Sequence, residues 1–258
     1  MSESIRIVIS GAAGRMGKAL SSVIAERDDV SLVATLIRPG SELENRPTPT
    51  AGAPNYATRL PESVIADVLI DFSASSGFDA ALELALTRNI AFVSGSTGLD
   101  PSQIEALDQA ARRIPLMWAA NFSVGVAVLE HLVGEAARLL PDWDCEIIES
   151  HHRHKLDAPS GTALTLGRRA GEARGVDAPD PDLDRNGRRD VGTIGYSVSR
   201  GGDIVGEHEV RLAGFGERVE LIHRATDRAI FAKGALTAAC WLSRQVPGRY
   251  SMADMLGL

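Results

Sequence analysis

In the first half of the chain, short β-branched apolar runs alternate with segments whose apolar positions recur at helical spacing. The apolar runs predict strands over residues 5–9, 31–37, 68–72, 91–93 and 116–118. Apolar positions over residues 16–24 recur at i, i+4, i+7 and i+8, and residues 104–111 repeat this helical pattern. Strands separated by helices of this length predict βαβ crossovers and a parallel sheet.

The pattern changes after residue 122, which indicates a second domain. A long helical pattern reaches residue 140, a strand follows over residues 145–149, and a helix starts near residue 162 after a polar loop. Polar and apolar positions then alternate at period two over residues 194–198, 207–212 and 217–223. This alternation is typical of antiparallel strands with one covered face, so the other face of the sheet is expected to need a partner.

Three further segments complete the outline of the chain. A last helix over residues 229–244 is expected to return to the first sheet. Residues 38–60 are rich in Pro, Thr and Gly and lack periodicity, which predicts an excursion over the surface. Residues 174–190 are dense in Asp, Pro, Gly and Arg and predict an exposed loop with no assigned role. We therefore predict an α/β protein with a parallel-sheet domain and an α+β domain whose open sheet is mostly antiparallel.

Composition narrows the class of protein further. The 258 residues are 44% hydrophobic and include 25 glycines, which excludes intrinsic disorder and favours an α/β chain with glycine-rich turns. The net charge of −7 argues against nucleic acid as the main partner, because phosphate neutralisation needs a basic field. No secretory leader and no membrane-spanning run are recognised, and Cys145 and Cys240 lack metal-binding spacing. These features predict a cytoplasmic protein.

A glycine-rich turn directly follows the first predicted strand and opens the first helix. Its residues are Gly11, Ala12, Ala13, Gly14, Arg15, Met16 and Gly17. Glycines let a backbone approach a pyrophosphate closely, while the free amides and the positive end of the helix dipole receive its charge. The spacing is G-x-x-G-x-x-G rather than the usual G-x-G-x-x-G, so a plain strand-to-helix turn remains the alternative.

The end of the second strand bears on which nucleotide would bind. A carboxylate is common at this point in NAD-binding units, where it holds the ribose 2′-hydroxyl. Here the chain reads Leu36-Ile37-Arg38 instead. An arginine can pair with the 2′-phosphate of NADPH, so Arg38 favours NADPH, with a solvated arginine as the alternative.

Three more segments follow predicted strands and are candidate walls for the nicotinamide and its ribose. The positions concerned are Phe72, Gly95, Ser96, Thr97, Ala119, Ala120, Asn121 and Phe122. Ligands of open parallel sheets lie beyond the carboxyl ends of the strands, which is where these residues are expected. Small residues at such ends are also ordinary turn chemistry.

The densest cluster of chemically active side chains spans residues 149–163. His151, His152 and His154 lie with Arg153 and Lys155 within five residues of an acidic chain. Such a patch repels itself unless an anion resides there, so it predicts an anionic substrate with a histidine or lysine delivering a proton. The helix start that follows, Ser160-Gly161-Thr162, offers hydroxyl and amide donors suited to a carboxylate.

Other interpretations of this region stay open. A metal site at His152 and His154 is disfavoured because the neighbouring Arg153 and Lys155 would repel a dication, and no metal is expected. A solvated basic loop is the remaining alternative. Further along the chain, we interpret Glu207, His208 and Glu209 as structural cross-strand pairs rather than catalytic groups.

Taken together, these residues resemble the 4-hydroxy-tetrahydrodipicolinate (dihydrodipicolinate) reductase family over nearly the whole chain. The run over residues 146–163 is highly specific, whereas the glycine turn is not. Further matches are Asp71-Phe72-Ser73, Gly95-Ser96-Thr97-Gly98, residues 119–126, residues 202–208 and Phe231-Ala232-Lys233-Gly234-Ala235. The resemblance implies reduction of 4-hydroxy-2,3,4,5-tetrahydrodipicolinate to 2,3,4,5-tetrahydrodipicolinate with loss of water, in lysine and diaminopimelate biosynthesis.

The resemblance also implies roles for individual residues. His151 would donate or accept a proton, and Lys155 would be the second proton donor. Substrate would contact His152, Gly161 and Thr162, to which the helix-start interpretation adds Ser160. The nucleotide would lie against residues 11–16, Arg38, residues 95–97 and residues 119–122.

Domain organisation and assembly follow from the same resemblance. Residues 1–122 and 232–258 would form a Rossmann-type nucleotide domain, and residues 123–231 would form a domain that binds substrate and builds a homotetramer through its open sheet. Ile37 departs from the acidic residue common in members that use both nucleotides, which argues for NADPH over NADH. The rival interpretations are another small-acid or amino-acid dehydrogenase and a non-catalytic nucleotide sensor.

Overall fold

The computed structural model describes residues 4–176, 183 and 186–258, and the chain divides into two compact units. One unit contains Met1–Ser123 and Ala229–Leu258, and the other contains Val124–Arg228. The loop expected over residues 174–190 lies in part outside the described residues. Among the helices that are described, none is both long and apolar enough to cross a lipid bilayer.

The first unit is a parallel sheet of seven strands in the order β11-β6-β5-β4-β1-β2-β3. Its strands are β1 (Ile5–Ser10), β2 (Val30–Leu36), β3 (Tyr56–Ala57), β4 (Val68–Asp71), β5 (Ala91–Ser94), β6 (Pro115–Trp118) and β11 (Gly248–Tyr250). Its helices are α1 (Arg15–Ala25), α2 (Ser75–Arg88), α3 (Pro101–Ala110), α6 (Ala229–Leu242) and α7 (Met252–Leu256). The parallel βαβ organisation predicted from the apolar runs is confirmed.

The core of this unit is built from strands that are apolar on both faces. Ile7, Val8 and Ile9 of β1 are completely buried, as are the three apolar residues of β4. A central parallel strand needs helices over both faces. The apolar stripe of α1 packs on β1 and β2, and α6 lies beside α1 and packs on β4 and β5. The last long helix therefore returns to the first sheet, as the sequence predicts.

The interpretation of residues 38–60 as a surface excursion is wrong at one point. Tyr56 and Ala57 form β3, which pairs with Thr35 and Leu36 of β2, and Tyr56 is buried. A strand of two residues is too short to produce a period-two pattern, and tertiary pairing alone reveals it. The short elements β11 and α7 lay outside the predictions for the same reason.

The second unit is a sheet of four strands covered by two helices. It contains α4 (Val124–Leu139), β7 (Asp144–His151), α5 (Gly161–Arg174), β8 (Ile194–Arg200), β9 (Gly206–Ala213) and β10 (Arg218–Ala225), with strand order β10-β9-β7-β8. β7 pairs in parallel with β8 and antiparallel with β9, and β9 is antiparallel to β10. The mostly antiparallel second sheet is therefore confirmed.

Alternation along β7 and β9 gives this sheet two different faces. Cys145 and Ile147 of β7 and Val210 and Leu212 of β9 are completely buried with residues of α4 and α5. The intervening residues of both strands are only partly covered, and β10 exposes most of its length. Glu149 belongs to the same alternating set as Cys145 and Ile147, so its carboxylate enters the covered side of the sheet.

Candidate active site

A buried carboxylate at the end of β7 organises the second unit's site. The Glu149 side chain is 1% exposed. Its Oε2 lies 2.6 Å from Nδ1 of His151, and its Oε1 accepts a hydrogen bond of 2.9 Å from the amide of Ser160. Glu149 thereby connects the end of β7 to the start of α5.

Arg200, the last residue of β8, holds the same carboxylate from the neighbouring strand. Its Nη1 and Nη2 donate to Oε2 and Oε1 of Glu149, each at 2.8 Å. Burial by itself would raise the pKa of Glu149, but hydrogen bonds from His151, Arg200 and the Ser160 amide lower it to about 2. The carboxylate is therefore ionised at neutral pH.

Ser160 and His208 form the second layer of the cluster. Ser160 precedes α5, and its Oγ accepts a hydrogen bond of 3.2 Å from the amide of Ala163, which makes it the N-cap. The same Oγ lies 2.9 Å from Nε2 of His208, whose ring meets that of His151 edge-on with centroids 5.1 Å apart. Burial, with the nearby His151, lowers the pKa of His208 to about 4, so its imidazole is neutral at pH 7.

This geometry bears on two interpretations made from the sequence. Ser160 is buried, and its amide and hydroxyl are engaged by Glu149, Ala163 and His208, whereas Gly161 is exposed and Thr162 is half-buried. The cross-strand interpretation is confirmed for Glu207, which pairs with Arg224 of β10. It is incomplete for His208, which also contacts Ser160.

The loop after β7 carries the remaining candidates of the basic cluster. Nζ of Lys155 lies 2.7 Å from Oδ2 of Asp157, and its side chain is 19% exposed. The His151 carbonyl accepts a hydrogen bond from the amide of Gly201, which fixes the start of the loop. The ring centroids of His152 and His154 lie 6.3 Å apart. The pKa of His152 is lowered, mainly by partial desolvation and to a smaller extent by the positive charge of Arg228.

No group of three or more metal-ligating side chains is arranged to hold an ion, as far as the described residues extend. Arg153, which the sequence places in the basic cluster, is exposed. Its amide donates a hydrogen bond to the Gly202 carbonyl.

In the first unit, the glycine turn lies between the end of β1 and the N-terminus of α1. Gly11 adopts a φ of +75°, and a Cβ there would lie 2.5 Å from the Phe72 carbonyl oxygen. Gly14 is the N-cap of α1, and because it has no side chain it does not cap the amides of the first turn. A side chain at Gly11 is thus excluded by the chain that follows β4. A helix N-terminus without a side-chain cap, placed after a strand of a parallel sheet, is where a pyrophosphate can bind.

The carboxyl ends of β4 and β5 are tied together by a second buried carboxylate. Asp71 is completely buried and accepts hydrogen bonds from the Ser73 amide at 3.0 Å, Ser94 Oγ at 2.9 Å and Ser96 Oγ at 2.7 Å. Asp71 has no role among the predictions made from the sequence. A carboxylate at the end of an apolar strand, followed by serine, is the local signal that points to it.

The three candidate nicotinamide segments of the first unit come together around Phe72. A Cβ on Gly95 would overlap the Phe72 ring, and the rings of Phe72 and Phe122 meet edge-on with centroids 5.9 Å apart. Near them, Asn121 Oδ1 accepts a hydrogen bond of 2.8 Å from the Ser123 amide. Thr97 and Ala120 are exposed at the same edge, and Ala119 is partly covered.

Arg38 lies beyond the end of β2. The amide of Ala12 donates a hydrogen bond of 3.0 Å to the Leu36 carbonyl, so the end of β2 and the glycine turn are neighbours. Arg38 is exposed, two residues further along. A cation in this place suits a phosphate on the adenosine ribose of a bound dinucleotide.

A parallel sheet with a glycine turn at its carboxyl edge, joined in one chain to a unit with a carboxylate–histidine cluster, defines the class of two-domain, NAD(P)H-dependent oxidoreductases. The family described as "Dihydrodipicolinate reductase, N-terminus" matches residues 5–122, and "Dihydrodipicolinate reductase, C-terminus" matches residues 125–256. The chain belongs to the dihydrodipicolinate reductase family.

Similar proteins carry the name of that enzyme. The 4-hydroxy-tetrahydrodipicolinate reductase of Stenotrophomonas maltophilia (strain K279a) is 47% identical over 98% of each chain, and that of Alkalilimnicola ehrlichii is 46% identical over 98% of this chain and 99% of its own. The structure of dipicolinate-bound dihydrodipicolinate reductase from Paenisporosarcina sp. TG-14 superposes with a TM-score of 0.80 at 24% identity, over 97% of this chain and 98% of that one. This last likeness supports the fold.

Proposed function

We propose that this chain reduces 4-hydroxy-2,3,4,5-tetrahydrodipicolinate to 2,3,4,5-tetrahydrodipicolinate, with loss of water, at the expense of NAD(P)H in lysine and diaminopimelate biosynthesis. The observation that carries the proposal is the cluster at the end of β7, where ionised Glu149 holds His151 at 2.6 Å beside the basic loop. Family membership supplies the identity of the substrate.

The nucleotide is proposed to lie along the carboxyl edge of the first unit's sheet. The turn formed by Gly11, Ala12, Ala13 and Gly14 would surround its pyrophosphate, and the amides of Arg15 and Met16 in the first turn of α1 would face it. The amides of Ala12 and Gly14 shape the turn by donating to the carbonyls of Leu36 and Gly11. Phe72, Gly95, Ser96, Thr97, Ala119, Ala120, Asn121 and Phe122 would line the nicotinamide side. When bound, the reduced nicotinamide supplies the hydride for C4 of the substrate ring.

The cluster of the second unit is proposed to hold the dicarboxylate and to deliver the proton. Lys155 and His151 supply acid character at the carbon next to C4, which typically accelerates a reaction roughly a hundred- to ten-thousand-fold. His152 and the start of α5, at exposed Gly161 and half-buried Thr162, would bind a carboxylate. Ser160 would contribute by fixing that helix start, since its own polar groups are engaged inside the cluster.

NADPH is proposed as the preferred nucleotide, with NADH as a weaker substitute. Support comes from exposed Arg38 beyond the end of β2 and from Ile37, which is buried and carries no carboxylate for a ribose hydroxyl. No metal is proposed to take part.

A homotetramer in the cytoplasm is proposed for the assembled enzyme, with no nucleic-acid or membrane partner. The support is the open face of the second unit's sheet, where Ile222 is 41% exposed on β10, and the outer edge of that strand, which pairs with no strand among the described residues. Cys145 and Cys240 are free thiols, which suits a reducing compartment. Sedimentation equilibrium of the purified chain tests the oligomer, and a monomer at micromolar concentration would contradict it.

The enzymatic proposal is tested by making the unstable substrate in place from pyruvate and aspartate semialdehyde with the synthase that condenses them. Oxidation of NADPH and of NADH is then followed separately, and the product is identified by mass. We expect turnover with both nucleotides and a lower KM for NADPH. A folded protein that binds NADPH without turnover would contradict the proposal in favour of another dehydrogenase or a nucleotide sensor.

A further inference from the structure

The Glu149 carboxylate uses both of its oxygens inside the cluster. Oε1 accepts from the Ser160 amide and from Arg200 Nη2, while Oε2 faces His151 Nδ1 and accepts from Arg200 Nη1. With 1% of its side chain exposed, the carboxylate has no room for a substrate group or a bulk water contact. Its effect on the reaction must therefore pass through its partners.

The contact with Glu149 determines which nitrogen of the His151 imidazole carries a hydrogen and which can exchange a proton with a substrate. A carboxylate that is ionised can only accept, so Nδ1 of His151 must carry the hydrogen that lies between the two groups. Nε2 is then the nitrogen that gains or loses a proton. The Nε2 side of the ring lies close to Gly206, where a Cβ would crowd Nε2 at 3.0 Å, and 12% of the His151 side chain is exposed.

The surrounding charges hold the carboxylate ionised and the ring in place. Arg200 on β8 is the cation that contacts Glu149, and His208 on β9 packs edge-on against His151 while remaining neutral near pH 7. The charges of His223 on β10 and Lys155 in the loop also act on His208.

We propose that Glu149 is a positioning residue that fixes His151 in the tautomer with hydrogen on Nδ1, and so presents Nε2 for proton transfer. The inference rests on the proposed role of His151 in proton delivery. Through the Ser160 amide, the same carboxylate sets the start of α5, where Gly161 and Thr162 are proposed to hold substrate. The buried Glu149 carboxylate thus positions both the proposed acid, His151, and the proposed carboxylate-binding site at the start of α5.

A purely structural role makes a different prediction. If Glu149 served only as the counterion of Arg200, then loss of its charge would reduce stability without selecting a tautomer of His151. Glu149→Gln tests the two roles, because the amide oxygen can still accept from Arg200 Nη2 and from the Ser160 amide while its NH₂ group takes the place of Oε2 and faces His151. The bond from Arg200 Nη1 is lost in this variant, so the tautomer of His151 rather than stability is the readout that separates the roles. Nδ1 would then have to accept a hydrogen bond, and the hydrogen would move to Nε2.

Nitrogen NMR of histidine-labelled protein measures this directly, with the His151 signals assigned from their loss in His151→Gln. In the unsubstituted protein we expect Nδ1 of His151 to be protonated at neutral pH, and in Glu149→Gln we expect a neutral ring with hydrogen on Nε2. Hydrogen on Nε2 alone in the unsubstituted protein would overturn the inference, and this arm holds even if Glu149→Gln fails to fold.

Steady-state kinetics provide the second readout. Glu149→Gln should lower kcat by roughly a hundredfold or more with the NADPH KM unchanged, and Glu149→Asp, which keeps the carboxylate, should recover part of the loss. Arg200→Lys, which keeps a cation near the carboxylate, should lower kcat less than tenfold. A kcat for folded Glu149→Gln within threefold of the unsubstituted value would overturn the inference. Absence of turnover in the unsubstituted protein, with the expected tautomers present, would instead contradict the proposed function.

Discussion

The hydroxyl of Ser160 and Nε2 of His208 lie 2.9 Å apart although 48 positions separate them in the chain. This contact joins the N-cap of α5 to the middle of β9, and it places a neutral imidazole behind the ring of His151. The start of α5 is therefore held by Glu149 through an amide and by His208 through a hydroxyl. The helix end proposed to bind a carboxylate is fixed before substrate arrives.

Replacement of Ser160 by alanine should destabilise the protein by about 1–3 kcal/mol, because the change removes an N-cap and leaves Nε2 of buried His208 without its partner. Urea unfolding followed by far-ultraviolet circular dichroism measures the effect. Ser22→Ala is the matched control, since that exposed hydroxyl only donates to the carbonyl one turn earlier and its loss should change stability by less than about 0.5 kcal/mol. Equal losses in both variants would contradict the assigned role of Ser160.

The depressed pKa of His208 predicts a pH dependence of stability. Between about pH 6.5 and 4 the unfolded state holds a proton on this residue and the native state does not. The free energy of unfolding should therefore rise with pH across this window, with His208 contributing about 3 kcal/mol in total. His208→Gln should remove that part of the slope in urea titrations at a series of pH values. An unchanged slope in the variant would show that His208 titrates alike in both states.

Asp71 is expected to govern nucleotide binding by joining the ends of β4 and β5. Asp71→Asn should raise the NADPH KM by roughly tenfold with little change in the substrate KM. The Ser73 amide and the Ser96 hydroxyl bond to different oxygens of Asp71, and asparagine keeps only one acceptor oxygen, so one of the two loops loses its hydrogen bond. The control is Asp67→Asn at the opposite end of the same strand, where the carboxylate pairs with Arg6. A selective rise in the NADPH KM of the control, with none for Asp71→Asn, would refute this assignment.

Arg38 is expected to distinguish the two nucleotides. Arg38→Ala should raise the NADPH KM by about tenfold or more and leave the NADH KM nearly unchanged, because only NADPH carries the 2′-phosphate. Arg112→Ala, which changes another exposed arginine, should leave both values unaltered. If the NADPH KM of Arg38→Ala equals that of the unsubstituted protein, then a different residue selects the nucleotide.

Long, strongly patterned elements of this fold were predictable from sequence, and brief ones were not. Runs of apolar residues predict β1 and β2. β3 has two residues and β11 has three, which is too short for a recognisable pattern. Local periodicity cannot reveal an element that forms only because a neighbouring strand offers its free edge. The tertiary pairing of Tyr56 with Thr35 is such a case.

Some residues of the candidate site can likewise be recognised from the local sequence, and others only from tertiary contacts. His151 and Lys155 stand out because basic residues crowd one short segment of an acidic chain. Arg200 carries no local signal, since it acquires its role from a partner 51 residues away. His208 continues the buried alternation of Val210 and Leu212, but its contact with Ser160, 48 residues away, cannot be read locally. Glu149 could have been recognised from the sequence, because it continues the buried alternation of Cys145 and Ile147. A carboxylate at a buried position requires hydrogen-bond donors around it, which predicts a polar cluster there.

Proton delivery by His151 and Lys155 is proposed to drive the reduction of the tetrahydrodipicolinate substrate. The most direct test compares steady-state turnover of the unsubstituted protein with that of the double variant His151→Ala/Lys155→Ala, using substrate generated in place and NADPH. We expect turnover to fall at least a thousandfold while NADPH binding, measured by fluorescence titration, stays within threefold. Intact turnover in the folded double variant would contradict the account.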